Sequence, residues 1–431
     1  MKQSLIEWIA EEKMHEAEAD PVYGNGGAIT IRPTTEEEII AIVHYANRNG
    51  KKVIVEGGGT KKGFGGLAET ADICLSLADY TGIIEHVPGD MTITVKAGTP
   101  FKDVQRYLAG FNQMIAMDPF AGDQSTVGGI IAANDSGPKR LGYGSARDSV
   151  IGMRLVYPDG KMIRAGGKVV KNVAGYDMNK LFIGSMGTLA VMTEISLKLR
   201  PIAKYASTAV IRIPNPTLES MKQFAVRLLD SMVEPVAFEV LSPSLALKLT
   251  GKEAYTFVVA FEDVESSVIY QEQFTQNLVP DGTEIDFLRG DDLELFWNAF
   301  YAAYPHINQG NVGIVLKFGS KNMDVLKMIL ASVKAAKKNG VEILAHGGLG
   351  HGIGQLIISG ETGKIREAAS ELRKEADSLG GYAIVKQAPY KERLQFNPWG
   401  DTPVYQFLLQ GIKEKIDPNH VLNHKRFVGG I

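Results

Sequence analysis

The amino-acid sequence predicts an α+β protein with more than one domain, and three observations support this class. The chain has 431 residues, which is too long for one ordinary hydrophobic core. Residues 29–55 have the pattern of a β-α-β unit, whose helix begins at the capping-box sequence Thr35-Glu36-Glu37-Glu38. From Ala203 onward, predicted strands and helices follow one another in mixed order, which is typical of an α+β domain.

The composition is that of a soluble globular protein, with 45% hydrophobic and 22% charged residues. A net charge of −3 gives no basic footprint for nucleic acid or for an acidic membrane surface. Cys74 is the only cysteine, so this chain alone cannot hold an intramolecular disulfide, a thiolate zinc site or an iron–sulfur cluster. The sequence has neither a run of about 18 apolar residues nor the apolar region of a signal peptide. We therefore expect a cytoplasmic protein without an integral membrane segment, at most peripheral at the inner membrane face.

A glycine-rich stretch from Gly57 to Gly66 follows the last strand of the β-α-β unit. Glycine permits positive φ and lets successive N–H groups point into one concavity, where they can bind an anionic oxygen. The P-loop and the dinucleotide-binding motif do not fit, because Phe64 follows Gly63 and Lys62 replaces a required glycine. The stretch alone is therefore compatible with either a phosphate-binding loop or a simple turn.

A second cluster of turn-forming residues runs from Asp118 to Ile130. Ser125 or Thr126 is a suitable N-cap, so the first N–H groups of the following helix would be available to an anion beside them. Further along the chain, Gly142-Tyr143-Gly144 is predicted to lie in a loop and Ala190 to Leu199 to form a strand.

The order and spacing of these segments resemble the FAD-binding domain of the vanillyl-alcohol oxidase/p-cresol methylhydroxylase superfamily. The matching motifs are Gly57-Gly58-Gly59-Thr60, Ser125-Thr126-Val127-Gly128-Gly129, Gly142-Tyr143-Gly144 with Asp148 downstream, and Gly187 to Glu194. Within this superfamily, the segments Gly166 to Asp177, Asp417-Pro418-Asn419 and Arg426 to Gly430 resemble the FAD-binding subunits of bacterial glycolate oxidases. The matches extend from about Ile29 to Ile431 and are densest over residues 50 to 200.

The resemblance implies a fold and a division into domains. Residues 1–202, with a core at about 24–202, would form a two-subdomain FAD-binding domain of the p-cresol methylhydroxylase type. Residues 203–398 would form an α+β cap or substrate domain. The C-terminal segment, 399–431, would return to the FAD-binding domain.

FAD is the cofactor that the resemblance implies. The Gly57–Thr60 backbone would hold the pyrophosphate, assisted by the helix N-terminus at Ser125–Gly129, while Gly187–Val191 would line the flavin and adenine side. Lys61 and Lys62 would either add charge or form a solvated pair at a loop tip. The implied cofactor-binding residues are Gly57, Gly58, Gly59, Thr60, Lys61, Pro119, Ser125, Thr126, Gly128, Gly129, Tyr143, Gly144, Gly187, Val191 and Glu194.

Many relatives bond FAD covalently through histidine or cysteine. No histidine is present among Gly57–Thr60, and Cys74 lies in a predicted strand away from the Gly142-Tyr143-Gly144 segment. We therefore expect non-covalent FAD.

The metal-dependent relatives that oxidise 2-hydroxy acids carry the motif H-x-G-D-G-N-x-H. Its nearest match here is His346 to Ile353, in which Leu349 replaces the acid and Ile353 the second histidine. A Glu-His pair found further along those relatives is missing near Lys386 to Tyr390. No metal site is therefore predicted. His346, His351 and Tyr390 remain candidate catalytic bases, and a structural or flavin-facing role is the other interpretation of the two histidines.

The resemblance implies an FAD-binding subunit of a glycolate (2-hydroxy acid) oxidase or dehydrogenase complex, an FAD-dependent oxidoreductase acting on CH–OH groups. Its partners would be a second FAD subunit and an iron–sulfur subunit, since one cysteine cannot hold a cluster. Two alternatives stay open. One is a self-sufficient FAD-dependent dehydrogenase of another 2-hydroxy acid such as D-lactate, and the other is a structural subunit with a vestigial flavin pocket.

Overall fold

The computed structural model describes residues 5–16, 22–67, 71–167, 176–305, 313–395 and 397–431. The chain forms two compact units. The first unit contains Met1–Ser136, Ser145–Ile202 and Pro389–Ile431, and the second contains Gly137–Gly144 and Ala203–Ala388. Two segments therefore group differently from the expected domain boundaries: residues 137–144 belong with the second unit, and residues 389–398 belong with the first.

The strands of the first unit form two main sheets and one short pair. They are Met14–Glu16 (β1), Gly27–Ile31 (β2), Val53–Glu56 (β3), Ala71–Ser76 (β4), Ile83–Val87 (β5), Thr92–Lys96 (β6), Gln113–Met114 (β7), Val150–Val156 (β8), Met162–Gly166 (β9), Val191–Lys198 (β10) and Arg200–Pro201 (β11). The sheets have the strand orders β1-β2-β4-β3, β5-β6-β10-β8-β9 and β11-β7. In the first sheet β2, β4 and β3 are parallel, whereas the second sheet is antiparallel.

Helices pack around these sheets in the first unit. The α-helices are Glu36–Arg48 (α1), Phe101–Ala109 (α2) and Val127–Ala133 (α3), followed after residue 144 by Ala146–Ser149 (α5), Asn179–Phe182 (α6), Tyr390–Arg393 (α13) and Gln406–Ile416 (α14). Short 3-10 turns occupy Glu11–Lys13, Pro88–Asp90, Gly122–Gln124 and Val428–Gly430.

The predicted β-α-β unit is confirmed as β2-α1-β3. Thr35 caps α1, because its side chain accepts a hydrogen bond from the Glu38 N–H at 3.3 Å and the Glu38 carboxylate accepts in return from the Thr35 N–H. Ile39, Ile42 and Val43 on this helix are fully buried. The helix thus leads the chain back into β3, which runs directly into the glycine-rich stretch.

The C-terminal segment pairs with the open edge of β3. The Val53 N–H donates to Val421 O at 2.8 Å, and the Asn423 N–H donates to Val53 O at 2.9 Å. The Asn423 side-chain oxygen accepts from the Val55 N–H at 2.8 Å. These bonds satisfy the edge of the sheet and place residues 421–426 beside the glycine-rich stretch.

The second unit is built on one antiparallel sheet. Its strands are Tyr205–Arg212 (β12), Ala237–Leu241 (β13), Thr256–Asp263 (β14), Glu284–Leu288 (β15), Ile314–Gly319 (β16), Glu342–Gly348 (β17), Ile353–Ser359 (β18) and Tyr382–Gln387 (β19). Their order is β15-β12-β14-β13-β17-β18-β16-β19. Its helices are Arg140–Tyr143 (α4), Leu218–Leu229 (α7), Pro243–Thr250 (α8), Glu265–Leu278 (α9), Gly290–Ala302 (α10), Asp324–Asn339 (α11) and Thr362–Ser378 (α12). Within the described ranges, none of the helices is both long and apolar enough to cross a membrane.

A buried ion pair holds the C-terminal segment in the first unit. Lys413 and Asp417 are 1% and 0% exposed, and their charged atoms lie 2.6 Å apart. The ammonium of Lys413 also donates to Thr188 O at 2.7 Å and to Leu422 O at 3.0 Å. Burial lowers the pKa of Lys413 below its ordinary value, although the carboxylate of Asp417 opposes that shift. The pair therefore joins α14, the loop before β10 and the strand-like segment at residue 422.

We predict that Lys413→Met lowers the free energy of unfolding by about 3–5 kcal/mol, because it leaves the Asp417 carboxylate buried without its cation. Urea denaturation followed by circular dichroism measures this change. Lys415→Met, an exposed substitution in the same helix, is the matched control and should change stability by less than about 0.5 kcal/mol. Equal effects of the two substitutions would contradict the role assigned to the pair.

Candidate functional site

The loop after β3 presents a row of unsatisfied backbone donors. The N–H groups of Gly57, Gly58, Gly59, Thr60 and Lys61 have no hydrogen-bond acceptor within the described part of the chain. Backbone N–H groups in folded proteins are nearly always paired with protein or with ordered solvent. A run of five free donors in one loop is therefore a suitable site for anionic oxygens.

Close backbone contact explains why this loop needs glycine. A Cβ atom on Gly57 would lie 2.1 Å from the Thr126 hydroxyl oxygen, and one on Gly58 would lie 1.9 Å from Gln124 O. Both distances are far below van der Waals contact. Gly59 has φ of +71°, a conformation that L side chains rarely adopt. The glycines are therefore required by the approach of the 124–126 segment and by the turn itself.

Two adjoining cavities lie along this loop and together are called the cleft. Their volumes, open solvent included, are about 600 Å³ and 430 Å³, and both are lined by Gly57, Thr126, Met186 and Asn423. The first cavity runs along the loop from Gly57 to Lys62 and reaches Arg426. The second is lined mainly by apolar and small residues: Val55, Leu77, Ala97, Gly128, Gly129, Ala132, Gly187, Ala190 and Met192. The cleft thus has a donor-rich part and an apolar part.

The N-terminus of α3 differs from the expectation. Thr126 is the N-cap, as predicted, and its hydroxyl accepts from the Gly129 N–H at 3.2 Å. However, the Val127 N–H donates to Thr99 O at 3.0 Å, and the Gly128 N–H donates to Ala97 O at 2.8 Å. Neighbouring protein atoms already accept these three bonds, so these N–H groups are not free donors, and the predicted help of this helix N-terminus in holding the pyrophosphate stays a prediction.

The two lysines of the loop are paired with carboxylates. The Lys61 ammonium lies 2.8 Å from the Asp135 carboxylate, and these side chains are 10% and 3% exposed. Lys61 also donates to Phe120 O at 3.0 Å. Lys62 lies 3.2 Å from Glu56. Each lysine charge is therefore balanced inside the first unit. A solvated tip is wrong for Lys61, while its contact with the cofactor stays a prediction.

Arg426 and Asn423 line the cleft, although neither was predicted as a site residue. Arg426 donates to Lys61 O at 2.7 Å and to Lys62 O at 3.2 Å, so its guanidinium supports the loop from the C-terminal side. Asn423 donates to Met186 O at 2.6 Å. The C-terminal motif contains both residues, but their position in sequence does not reveal that the chain returns to β3.

Four other predicted cofactor residues do not line the cavities of the cleft. Ser125 is buried and lies 2.9 Å from the Thr60 hydroxyl, so it supports the loop. Val191 is fully buried in the core of the first unit, Glu194 lies 3.7 Å from Arg154, and Pro119 is buried just before a 3-10 turn. None of these three is among the lining residues of the two cavities described above. Their role as cofactor contacts stays a prediction.

Tyr143 and Gly144 belong to the second unit rather than the first. The Tyr143 hydroxyl donates to the Glu262 carboxylate, which also accepts from Lys139 at 2.5 Å. Residues 168–175 of the predicted motif Gly166 to Asp177 lie outside the described residues. The predicted contribution of Tyr143 and Gly144 to FAD binding is untested.

A buried carboxylate joins the two predicted catalytic histidines in the second unit. Glu239 on β13 lies 2.7 Å from Nδ1 of His346 on β17 and 3.5 Å from Nε2 of His351. Burial acts to raise the pKa of Glu239, but the hydrogen bonds and charges of His346 and His351 outweigh it, so the pKa lies below its ordinary value. Glu239 is therefore an ionised carboxylate that orients both rings.

The hydrogen bonds fix the role of Nδ1 in each ring. Because an ionised carboxylate only accepts, Nδ1 of His346 is the donor in its bond to Glu239. Nδ1 of His351 accepts from the Ile353 N–H at 3.2 Å, so its proton is at Nε2, facing Glu239. The sequence did not single out Glu239, although an acid inside the apolar strand Val236 to Leu241 is a recognisable signal.

The third predicted base, Tyr390, lies in the first unit at the start of α13. Its side chain is 38% exposed, and its N–H donates to Val22 O at 2.7 Å. Its role as a catalytic base stays a prediction. No group of three or more His, Cys, Asp or Glu side chains with an arrangement able to hold a metal ion occurs among the described residues.

The cleft in the first unit fits FAD. Five free N–H groups and a cationic guanidinium match a pyrophosphate, and the apolar cavity matches an aromatic ring system. The cleft also requires glycine at position 187. Its φ is +69°, and a Cβ atom there would lie 2.6 Å from the Asn423 amide nitrogen.

Comparisons with known proteins agree with this assignment. A family model described as an FAD binding domain matches residues 27–166. The chain is 40% identical over 152 residues to glycolate oxidase subunit GlcE of Escherichia coli, covering 35% of this chain and 43% of the relative. It is 34% identical over 213 residues to D-lactate dehydrogenase of Archaeoglobus fulgidus, covering 49% of this chain and 46% of the relative. The matched segments thus span less than half the length of each of these two relatives.

The fold is also found in a solved structure. The crystal structure of p-cresol methylhydroxylase with substrate bound matches 99% of this chain and 95% of its own chain, with a TM-score of 0.78 at 15% identity. This likeness confirms the predicted α+β architecture of the p-cresol methylhydroxylase type. The FAD-binding family model confirms FAD as the cofactor.

We predict that Gly58→Ala lowers FAD occupancy of the purified chain at least tenfold. The added Cβ would collide with the Gln124 carbonyl and displace the loop that carries the free N–H groups. The ratio of visible flavin absorbance to protein absorbance measures the occupancy. Gly89→Ala is the control, because a Cβ there meets nothing within 4 Å. Full occupancy in Gly58→Ala would contradict the assignment of this loop.

Proposed function

We propose that the chain is a member of the vanillyl-alcohol oxidase/p-cresol methylhydroxylase superfamily of FAD-binding proteins and an FAD-dependent oxidoreductase acting on CH–OH groups of 2-hydroxy acids. Its specific role is that of the FAD-binding subunit of a glycolate oxidase or dehydrogenase complex. The proposal rests on the row of free N–H groups from Gly57 to Lys61. These groups lie beside a cleft whose donor-rich and apolar parts suit a dinucleotide. The similarity to a glycolate oxidase subunit supports the substrate class.

The residues of the first unit bind and orient the cofactor. The N–H groups of the glycine-rich loop hold the pyrophosphate, and apolar residues such as Leu77 and Met192 exclude water from the second cavity. Bound FAD supplies hydride acceptance and onward electron transfer. Since Cys74 is the only cysteine, an iron–sulfur subunit of the complex receives the electrons, and a second FAD subunit carries out the first oxidation.

A self-sufficient dehydrogenase of a 2-hydroxy acid such as D-lactate is the second candidate, and the Glu239–His346 pair favours it. Oxidation of a hydroxy acid requires a base that takes the hydroxyl proton. Glu239 accepts a hydrogen bond from Nδ1 of His346 and thereby orients the candidate base. The ionised carboxylate also stabilises the imidazolium that results from proton transfer. The similarity to an archaeal D-lactate dehydrogenase supports this candidate as well.

Anaerobic mixing of the purified, flavin-containing chain with glycolate or D-lactate distinguishes the candidates. The complex-subunit proposal predicts that the flavin keeps its visible absorbance until the partner subunits are added. The self-sufficient candidate predicts prompt bleaching, slowed about 10²- to 10⁴-fold in His346→Gln because the base is lost. His15→Gln, an exposed substitution, is the control. Protein that stays colourless after incubation with FAD would contradict both and support a structural subunit.

We further propose that FAD is bound without a covalent link. The residues that line the two cavities of the cleft include neither histidine nor cysteine. Burial, with the nearby charge of Glu56, raises the pKa of the Cys74 thiol to about 12. The reactive thiolate is therefore nearly absent at neutral pH.

Acid precipitation should release all visible flavin into the supernatant, because only non-covalent contacts hold it. The absorbance of the supernatant and the colour of the pellet are the measurements. Cys74→Ser should retain and release the same amount of flavin as the unmodified chain. A yellow pellet in either protein would overturn this part of the proposal.

A further inference from the structure

Arg426 is a buried cation that faces the first cavity without a carboxylate partner. It is 8% exposed, and no acidic side chain lies within 4 Å of its guanidinium in the described structure, where Lys61, Lys62 and Lys413 each have such a partner. Two of its five N–H donors bond the carbonyls of Lys61 and Lys62. The other three have no protein acceptor among the described residues.

The charges that line the first cavity do not balance. Its cationic lining residues are Lys61, Lys62 and Arg426, and Glu56 is its acidic one. Lys61 is neutralised by Asp135 behind the loop, and Lys62 is neutralised by Glu56. One positive charge, that of Arg426, therefore remains at the cavity wall. An anion bound in the cavity would be its counter-ion.

Leaving this charge uncompensated is costly, because a buried cation loses its hydration. Burial, together with the nearby Arg393 cation, lowers the pKa of Arg426 to about 9, while the more distant Glu56 carboxylate only partly opposes this shift. His424, the neighbouring titratable side chain, adds no charge near neutral pH, because burial and Lys52 lower its pKa to about 4. The first unit therefore contains a preformed cationic position.

The guanidinium of Arg426 lies close to the free backbone donors of the loop. Its guanidinium bonds the carbonyls of Lys61 and Lys62, so it lies directly after the run of free N–H groups from Gly57 to Lys61. The anionic part of FAD is its pyrophosphate. A guanidinium is well suited to that group, because its planar N–H donors match phosphate oxygens.

We propose that Arg426 binds the pyrophosphate of FAD and supplies the cationic charge that the two lysines of the loop do not. This inference rests on the FAD binding proposed above. Arg426 would then determine selectivity for flavin dinucleotide over flavins without phosphate, in addition to supporting the loop through the carbonyls of Lys61 and Lys62.

The test compares FAD with riboflavin, which lacks phosphate. The full-length apoprotein is titrated with each flavin, and quenching of flavin fluorescence gives the dissociation constants at low and high salt. Arg426→Gln keeps two N–H donors for the loop carbonyls but removes the charge, whereas Arg426→Lys keeps the charge. Arg164→Met, at an exposed arginine of the same unit, is the control. Arg426→Met is a second variant, which removes both the positive charge and the N–H donors.

We expect Arg426→Gln to weaken FAD binding about 10- to 100-fold and to reduce its salt dependence, while riboflavin binding changes by less than about twofold. Arg426→Lys should recover most of the FAD affinity. FAD binding by Arg426→Gln that equals the unmodified chain, or an equal loss for both flavins, would overturn the inference and leave FAD binding itself intact. An unmodified chain that does not bind FAD would instead overturn the proposed function.

Discussion

The contact between Gly57-Gly58 and the segment Gln124–Thr126 is the constraint on which the cofactor cleft depends. The two backbones approach so closely that a Cβ atom at either glycine would come within 2.1 Å of a neighbouring oxygen. This contact holds the loop in a conformation that leaves five consecutive N–H groups without protein acceptors. The C-terminal segment lies beside the same loop, because Asn423 pairs with the edge of β3 just before it.

Buried charges then divide into two kinds within the first unit. Lys61 with Asp135 and Lys413 with Asp417 are closed pairs that tie separate segments together. Such pairs contribute to specificity of the fold more than to net stability. Arg426 differs, because its protein partners are carbonyl oxygens that leave its charge unbalanced. The ion pairs of Lys61 and Lys413 fix the positions of separate segments of the first unit. The unbalanced charge of Arg426 is the one that we propose binds the ligand.

The second unit also contains a buried charged group, the Glu239 carboxylate. Glu239 is buried in the central part of an antiparallel sheet, and its neighbours on β17 and the following turn are both histidines. A buried carboxylate is tolerated because each oxygen faces a ring nitrogen. The cost of burying the acid is thus offset by interactions that also orient the rings of His346 and His351.

The sequence by itself determined the β-α-β unit and the glycine-rich loop, because capping, strand alternation and close backbone contact leave local residue patterns at Thr35–Glu38 and Gly57–Gly59. It did not determine which groups contact an anion. The N–H groups of Val127 and Gly128 have acceptors at Thr99 and Ala97, and these are long-range contacts without a local pattern. Tertiary structure alone decided the partners of Lys61, the position of Arg426 and the pairing of Glu239 with His346, because hydrogen bonds and charge balance depend on distances between segments far apart in the chain.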